Sequence, residues 1–248
     1  MPASTLRTAL AALRSVATCV SVALYVALIG TPFVLLALMI GSPAILYRAG
    51  QRGVQLGLWL SGIRYEIHGA EHIQRHRAAV YAVNHASNVE PPILFVSLRD
   101  LFPRLRILYK AELRKLPVLT NAFDLAGFVP LERGNRDQSM PAIERAAQAL
   151  REGNSFLIFP EGTRSRTGEL LPFKKGGFIM AIKGQAPIVP VAISGARAAM
   201  RKGSPIIHPV RVHVRFGEPI ETTGMTLDDR DRLLARVRPK VEAMLREV

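Results

Sequence analysis

The sequence holds one cysteine in 248 residues, Cys19. It can close no internal disulfide and supplies no cysteine cluster for a metal. Aromatic residues amount to 6%, and no basic helix interleaves them in the manner that stacks nucleic-acid bases. No repeat, low-complexity tract or G-x-S-x-G nucleophile elbow occurs. Acidic residues are few as well, 19 against 33 Lys and Arg, which leaves a net charge of +14. Such an excess implies a polyanionic partner. With nucleic acid disfavoured, the anionic membrane surface is the expected one. Cys19 lies in an apolar run and is expected to be inert packing.

Charge is missing altogether from Ser15 to Tyr47, between Arg7 and Arg14 on one side and Arg48 and Arg52 on the other. A bilayer needs about 20 apolar residues for one helix, so the run is long enough. Gly30-Thr31-Pro32 near its middle predicts a break. The halves then form a membrane-embedded helical hairpin whose basic flanks both stay on the cytoplasmic face. A single tilted span is the competing reading. A cleaved signal peptide does not fit, because its apolar region covers only about 7 to 15 residues. The expected organisation is an anchor over 1–60 and a catalytic domain over 61–248, held at the cell membrane.

Beyond Gly62, short apolar runs alternate with helical stretches. Strands are expected over 63–69, 78–83, 106–110, 128–132, 155–159, 187–193 and 210–216. Met140, Ile143, Ala147 and Leu150 mark a helix closed by Gly153, and Pro91-Pro92 opens another. Leu234, Val237, Val241, Leu245 and Val248 line a last helix kinked at Pro239. Alternation of this kind specifies an α/β fold with a largely parallel sheet flanked by helices. Ligands of such sheets bind beyond the carboxyl ends of the strands. His85, Lys110, Arg133, Glu161, Gly162, Thr163 and Arg164 are all delivered there. One base and several cations suit a phosphate-bearing substrate with a removable proton.

His85 and Glu90 form a candidate base and orienting carboxylate within VYAVNHASNVEPP. His213 and Glu218 repeat the spacing inside an alternating strand pattern and are read as structural. His68, His72 and His76 recur every fourth residue, but the first belongs to a strand, so the three are read as solvated surface and no metal site is expected. In FPEGTRSRTGE, Gly162 allows close backbone approach to a ligand, Thr163 and Ser165 add hydroxyls, and Arg164 offers a planar fork to phosphate oxygens.

Taken in order, NHASNVE, GFVPLER, FPEGTRS and IVPVAISG resemble the four signature blocks of the 1-acylglycerol-3-phosphate acyltransferase family, over about residues 62–217. The resemblance implies an acyl group passed from acyl-CoA or acyl carrier protein to lysophosphatidic acid, giving phosphatidic acid, with membrane lipids as partners and no cofactor. It makes His85 the base and Glu90 its orienting group, where the family has Asp. It assigns Lys110, Arg133, Glu161, Gly162, Thr163 and Arg164 to the substrate phosphate, with Lys110 the better lysine and Lys174 and Lys175 in similar stretches. Glycerol 3-phosphate or another lyso-lipid as acceptor, a thioesterase, and an inactive relative that binds anionic lipid are the alternatives.

Overall fold

The computed structural model describes residues 3–115, 117–132 and 136–247. It opens with helix α1 (Ala3–Tyr25), a π-helical turn (Val26–Gly30) and α2 (Thr31–Ile40). The chain therefore stays helical through Gly30-Thr31-Pro32, where composition predicts a break. Proline cannot donate the hydrogen bond one turn back. The wider π turn absorbs that loss, as such bulges do, and the Thr31 hydroxyl donates to the Val26 carbonyl at 3.0 Å. The reversal comes later, at Gly41, whose φ of +71° ends α2. Helix α3 (Pro43–Ser61) then returns along α1.

The two-helix motif exists, with its turn some ten residues beyond the expected place. Its close packing rests on glycines: a Cβ at Gly53 would stand 2.7 Å from the Tyr25 ring and one at Gly57 3.2 Å from Val22. The Tyr25 hydroxyl donates to the Ala49 carbonyl at 2.8 Å. Cys19 is exposed on α1 instead of packed, because the interhelical face is taken by other positions.

All seven expected strands form: β1 (Arg64–His68), β2 (Val80–Val83), β3 (Leu105–Lys110), β4 (Val129–Leu131), β5 (Ser155–Ile158), β6 (Ile188–Ser194) and β7 (Arg211–Phe216). Their order is β1-β7-β6-β2-β5-β3-β4, and only β6–β7 is antiparallel. The middle strands β2 and β5 are buried on both faces, which explains their unbroken apolar runs. On one face, Tyr81 and Val83 meet α3 and α4 (Glu90–Ser97). Beyond β3 comes α5 (Pro117–Leu125). On the other face, Val80, Ala82 and Phe156 meet α6 (Arg136–Arg151), α7 (Gly176–Gly184) and α9 (Arg230–Arg246), while the short α8 (Ala196–Ala199) follows β6. Helix α9 runs through Pro239 and buries Leu233, Val237 and Val241, one position off the expected start of its apolar face; Val248 lies outside the described residues.

Gly195 closes β6 at φ +82°, and a Cβ there would lie 2.4 Å from the Arg211 carbonyl oxygen. Gly153 also has positive φ, +89°, with nothing near the Cβ position. Left-handed backbone costs a side chain about 1–2 kcal/mol. Thermal unfolding is expected to show Gly153→Ala losing about that much and Gly195→Ala clearly more, since a backbone oxygen cannot swing aside. Equal losses would contradict the register drawn here between β6 and β7.

Candidate active site

His85 leaves the end of β2, and its backbone is tied on both sides. Its N–H donates to Glu161 Oε1 at 2.5 Å and its carbonyl accepts from the Ser165 N–H at 2.7 Å. Asn84, just before it, exchanges two hydrogen bonds with Ile193 of β6, at 2.8 and 3.0 Å. The imidazole stacks on Phe159 with centroids 4.1 Å apart. Three neighbouring strand ends thus fix one ring.

Nδ1 of that ring lies 2.7 Å from Glu90 Oε2. Glu90 begins α4 and is 1% exposed. A buried carboxylate is costly unless its charge is paired and hydrogen-bonded. Here the Ala86 N–H, 3.0 Å from both oxygens, and the helix N-terminus supplement the His85 contact. With Nδ1 so engaged, Nε2 keeps no protein partner among the described residues, and the side chain is 18% exposed. The arrangement suits proton abstraction by Nε2.

The FPEGTRS loop follows β5 directly beside it. Glu161, 3% exposed, accepts from the His85 amide and from the Leu171 amide at 2.9 Å. Both oxygens are therefore spent on holding backbone, not turned toward a ligand. Gly162 has φ +68°, and a Cβ there would meet the Lys174 side chain at 2.9 Å. Lys174, rather than Lys110, lies against this loop; Lys110 ends β3, two strands from β2, 3.9 Å from Glu112. Lys175 is engaged by Asp231 at 2.9 Å. Thr163 is exposed, and Arg164 has no ion-pair partner among the described residues. Arg133 lies outside the described residues. Lys202 joins the group unforeseen: its Nζ stands 3.4 Å from Thr163 Oγ1 and 2.9 Å from the Arg164 carbonyl. It sits in an irregular loop with no periodic or motif signal in sequence.

His213 and Glu218, the second pair with the same spacing, do not meet; His213 is near Glu66 and Glu218 near Lys240. Behind the His85 loop opens a cavity of about 880 Å³, between the α1–α3 hairpin, α4 and α5. Asn88 and Val89 of the His85 loop line it together with Val22, Phe95, Phe123 and Phe128. Its walls are almost entirely apolar, as a long hydrocarbon chain requires.

Burial raises the Glu161 carboxyl above its ordinary value, opposed by the two amides it accepts from. A carboxyl raised on folding contributes its stability below the unfolded value, about 4.3, and loses it as pH rises through the folded value. Glu161→Gln sets an amide against one of the two donors and is expected to cost about 1–3 kcal/mol. Across thermal unfolding curves from about pH 4 to about pH 8, the advantage of the parent over this variant should shrink as pH rises through that window. An advantage that grows with pH would contradict the burial of this carboxylate.

The pattern that defines the acyltransferase domain matches residues 64–194. A 1-acyl-sn-glycerol-3-phosphate acyltransferase of Limnanthes douglasii is 36% identical over 177 residues, 71% of this chain and 61% of that protein. The alpha form from Homo sapiens is 31% identical over 192 residues, 77% of this chain and 66% of its own length. The chain thus spans 61% of the length of the plant relative it matches. The crystal structure of the 1-acyl-sn-glycerophosphate (LPA) acyltransferase PlsC from Thermotoga maritima superposes with a TM-score of 0.77, at 23% identity, over 96% of this chain and 98% of that one. It shares the fold. The matched segment takes in His85, Glu90 and the whole 159–165 loop, and the chain belongs to the acyltransferase family.

Proposed function

We propose that the protein acylates the free hydroxyl of 1-acylglycerol 3-phosphate from an acyl thioester, acyl-CoA or acyl carrier protein, to give phosphatidic acid in phospholipid synthesis. The observation that carries this reading is the Glu90-oriented imidazole on a loop whose Asn88 and Val89 line an apolar cavity, with Lys174 and Lys202 packed against the adjoining loop that carries Arg164. The names of the relatives point to the same reaction.

Neutral His85 takes the acceptor proton on Nε2 as the hydroxyl oxygen bonds to the thioester carbonyl carbon. Glu90 holds the Nδ1–H tautomer and stabilises the imidazolium that forms. Collapse of the tetrahedral species breaks the C–S bond, and Nε2 returns its proton to the thiolate. Every atom is accounted for without an acyl-enzyme. Arg164, Lys174 and Lys202, with the Thr163 hydroxyl, are assigned to the acceptor phosphate, and Lys110 and Arg133 are assigned to it as well. Glu161 and Gly162 shape the loop that presents them. The cavity receives an acyl chain.

The hairpin serves as the anchor. Thr8–Ile40 is long and apolar enough to cross a membrane, and Leu28 and Met39 are 71% and 85% exposed. A continuous apolar surface of this kind marks an interaction face. Arg14 on α1 and Arg48 and Arg52 on α3 make the hairpin basic and favour the cytoplasmic side of the cell membrane. We assign 1–60 to the anchor and 61–248 to catalysis.

Labelled acyl transfer onto lysophosphatidic acid, with acyl-CoA and acyl carrier protein offered separately, tests the proposal. Membranes carrying the parent should form labelled phosphatidic acid with one of the two donors, and His85→Ala should lose on the order of 10² to 10⁴ of that rate. Equal product from both proteins would refute the assignment of the base. Product with other lyso-lipids alone would refute the acceptor.

A further inference from the structure

Away from the His85 site, the outer edge of the sheet brings three metal-ligating side chains onto one face. Glu66 and His68 are two apart on β1 and so point the same way. Glu66 is paired in register with His213 of β7. His68 Nε2 and His213 Nδ1 are 3.4 Å apart, His213 Nδ1 and Glu66 Oε2 3.4 Å, and His68 Nε2 and Glu66 Oε2 4.0 Å. All three separations exceed the usual range of a good hydrogen bond, about 2.7–3.2 Å. They fit something else. A triangle with these sides has its vertices about 2.1 Å from a common centre, which is the bond length of Zn²⁺ to imidazole nitrogen and carboxylate oxygen.

We propose that Glu66, His68 and His213 form a binding site for a transition-metal ion of the Zn²⁺ class. Two imidazoles and one carboxylate are a donor set that Zn²⁺ accepts; at the triangle's centre an ion is coplanar with the three atoms, and closing the 4.0 Å side lets it rise to tetrahedral coordination with a water on the exposed side. Mg²⁺ and Ca²⁺ demand more oxygen ligands than are present. Arg211 and Arg215 on β7 do not compete for the ligand atoms. Arg211 pairs with the other Glu66 oxygen, Oε1, and Arg215 pairs with Glu247. The ligand atom Oε2 stays turned toward the two imidazoles.

Ser194 stands in register beside His213 on β6, and its buried hydroxyl has no hydrogen-bond partner among the described residues. It is placed to support the ring of a ligand from outside, the usual arrangement around metal-bound histidine. Strand β1 pairs with β7 alone and follows α3 directly. A bound ion would clamp the strand that joins the helical hairpin to the catalytic sheet.

Tag-free protein in detergent, titrated with Zn²⁺ against a chromophoric chelator, tests the site. The parent is expected to bind one ion per chain and to gain on the order of 5 °C in Tm at saturating metal. His68→Gln and His213→Gln should each weaken binding by at least about tenfold and lose the Tm gain, both being partly exposed positions that leave the fold intact. His72→Gln, whose side chain contacts Glu71 instead, should bind as the parent does. A parent that binds no Zn²⁺ at about 100 μM, or variants at positions 68 and 213 that bind as tightly as the parent, would overturn the proposal. Loss of binding in His72→Gln to the same extent would overturn it too, exposing an unspecific surface-histidine effect.

Discussion

A carboxylate buried to 1% exposure must keep its charge compensated, and Glu90 does so with few groups: the His85 ring, the Ala86 amide and the start of α4. That requirement is the constraint on which the site depends. Removing any partner leaves a buried charge or an unmet amide, each costing kcal/mol. The pair is thus a positional lock as well as chemical equipment. Its consequence is a ring whose Nε2 has no protein partner among the described residues.

The surroundings repeat this economy. Glu161 is a second buried carboxylate within the same shell, and it binds the His85 backbone to the segment after the FPEGTRS loop. The loops of β2 and β5 are thereby tied to each other through one carboxylate. On the opposite side the loop borders the apolar cavity, whose far wall is the helical hairpin. On the proposed function, membrane anchor and acyl pocket are one construction: the helices that would sit in lipid also wall the cavity behind the His85 loop.

How much of this was legible in sequence follows from which features are local. The central strands were readable because a strand buried on both faces needs an unbroken apolar run, as VYAV and SFLI display, and β7, in VRVHVRF, by the alternation that its half-buried pattern requires. The His85–Glu90 pair was readable because one turn of chain separates its members. The hairpin turn was not. Gly30 and Pro32 carry the stronger local breaking signal, yet a π turn and the Thr31 hydroxyl accommodate them, while the weaker-looking Gly41 makes the left-handed exit. Lys202 was invisible, since its place beside Thr163 depends on the course of a loop 39 residues away. Glu161 was assigned to substrate from its motif, whereas its bonds to two backbone amides exist only once β2 and β5 pair. The approach of His213 to Glu66 and His68 is equally non-local, created by the pairing of β1 with β7 across 145 residues.

On the proposed mechanism, Glu90 makes His85 a base by fixing its tautomer and its ring. The most direct test is kcat for acyl transfer by Glu90→Gln, an isosteric change, alongside the thermal unfolding of the same protein. kcat is expected to fall on the order of 10² or more, in a protein that still unfolds cooperatively. A variant within about twofold of the parent would show that His85 needs no carboxylate, and would contradict the account at its root.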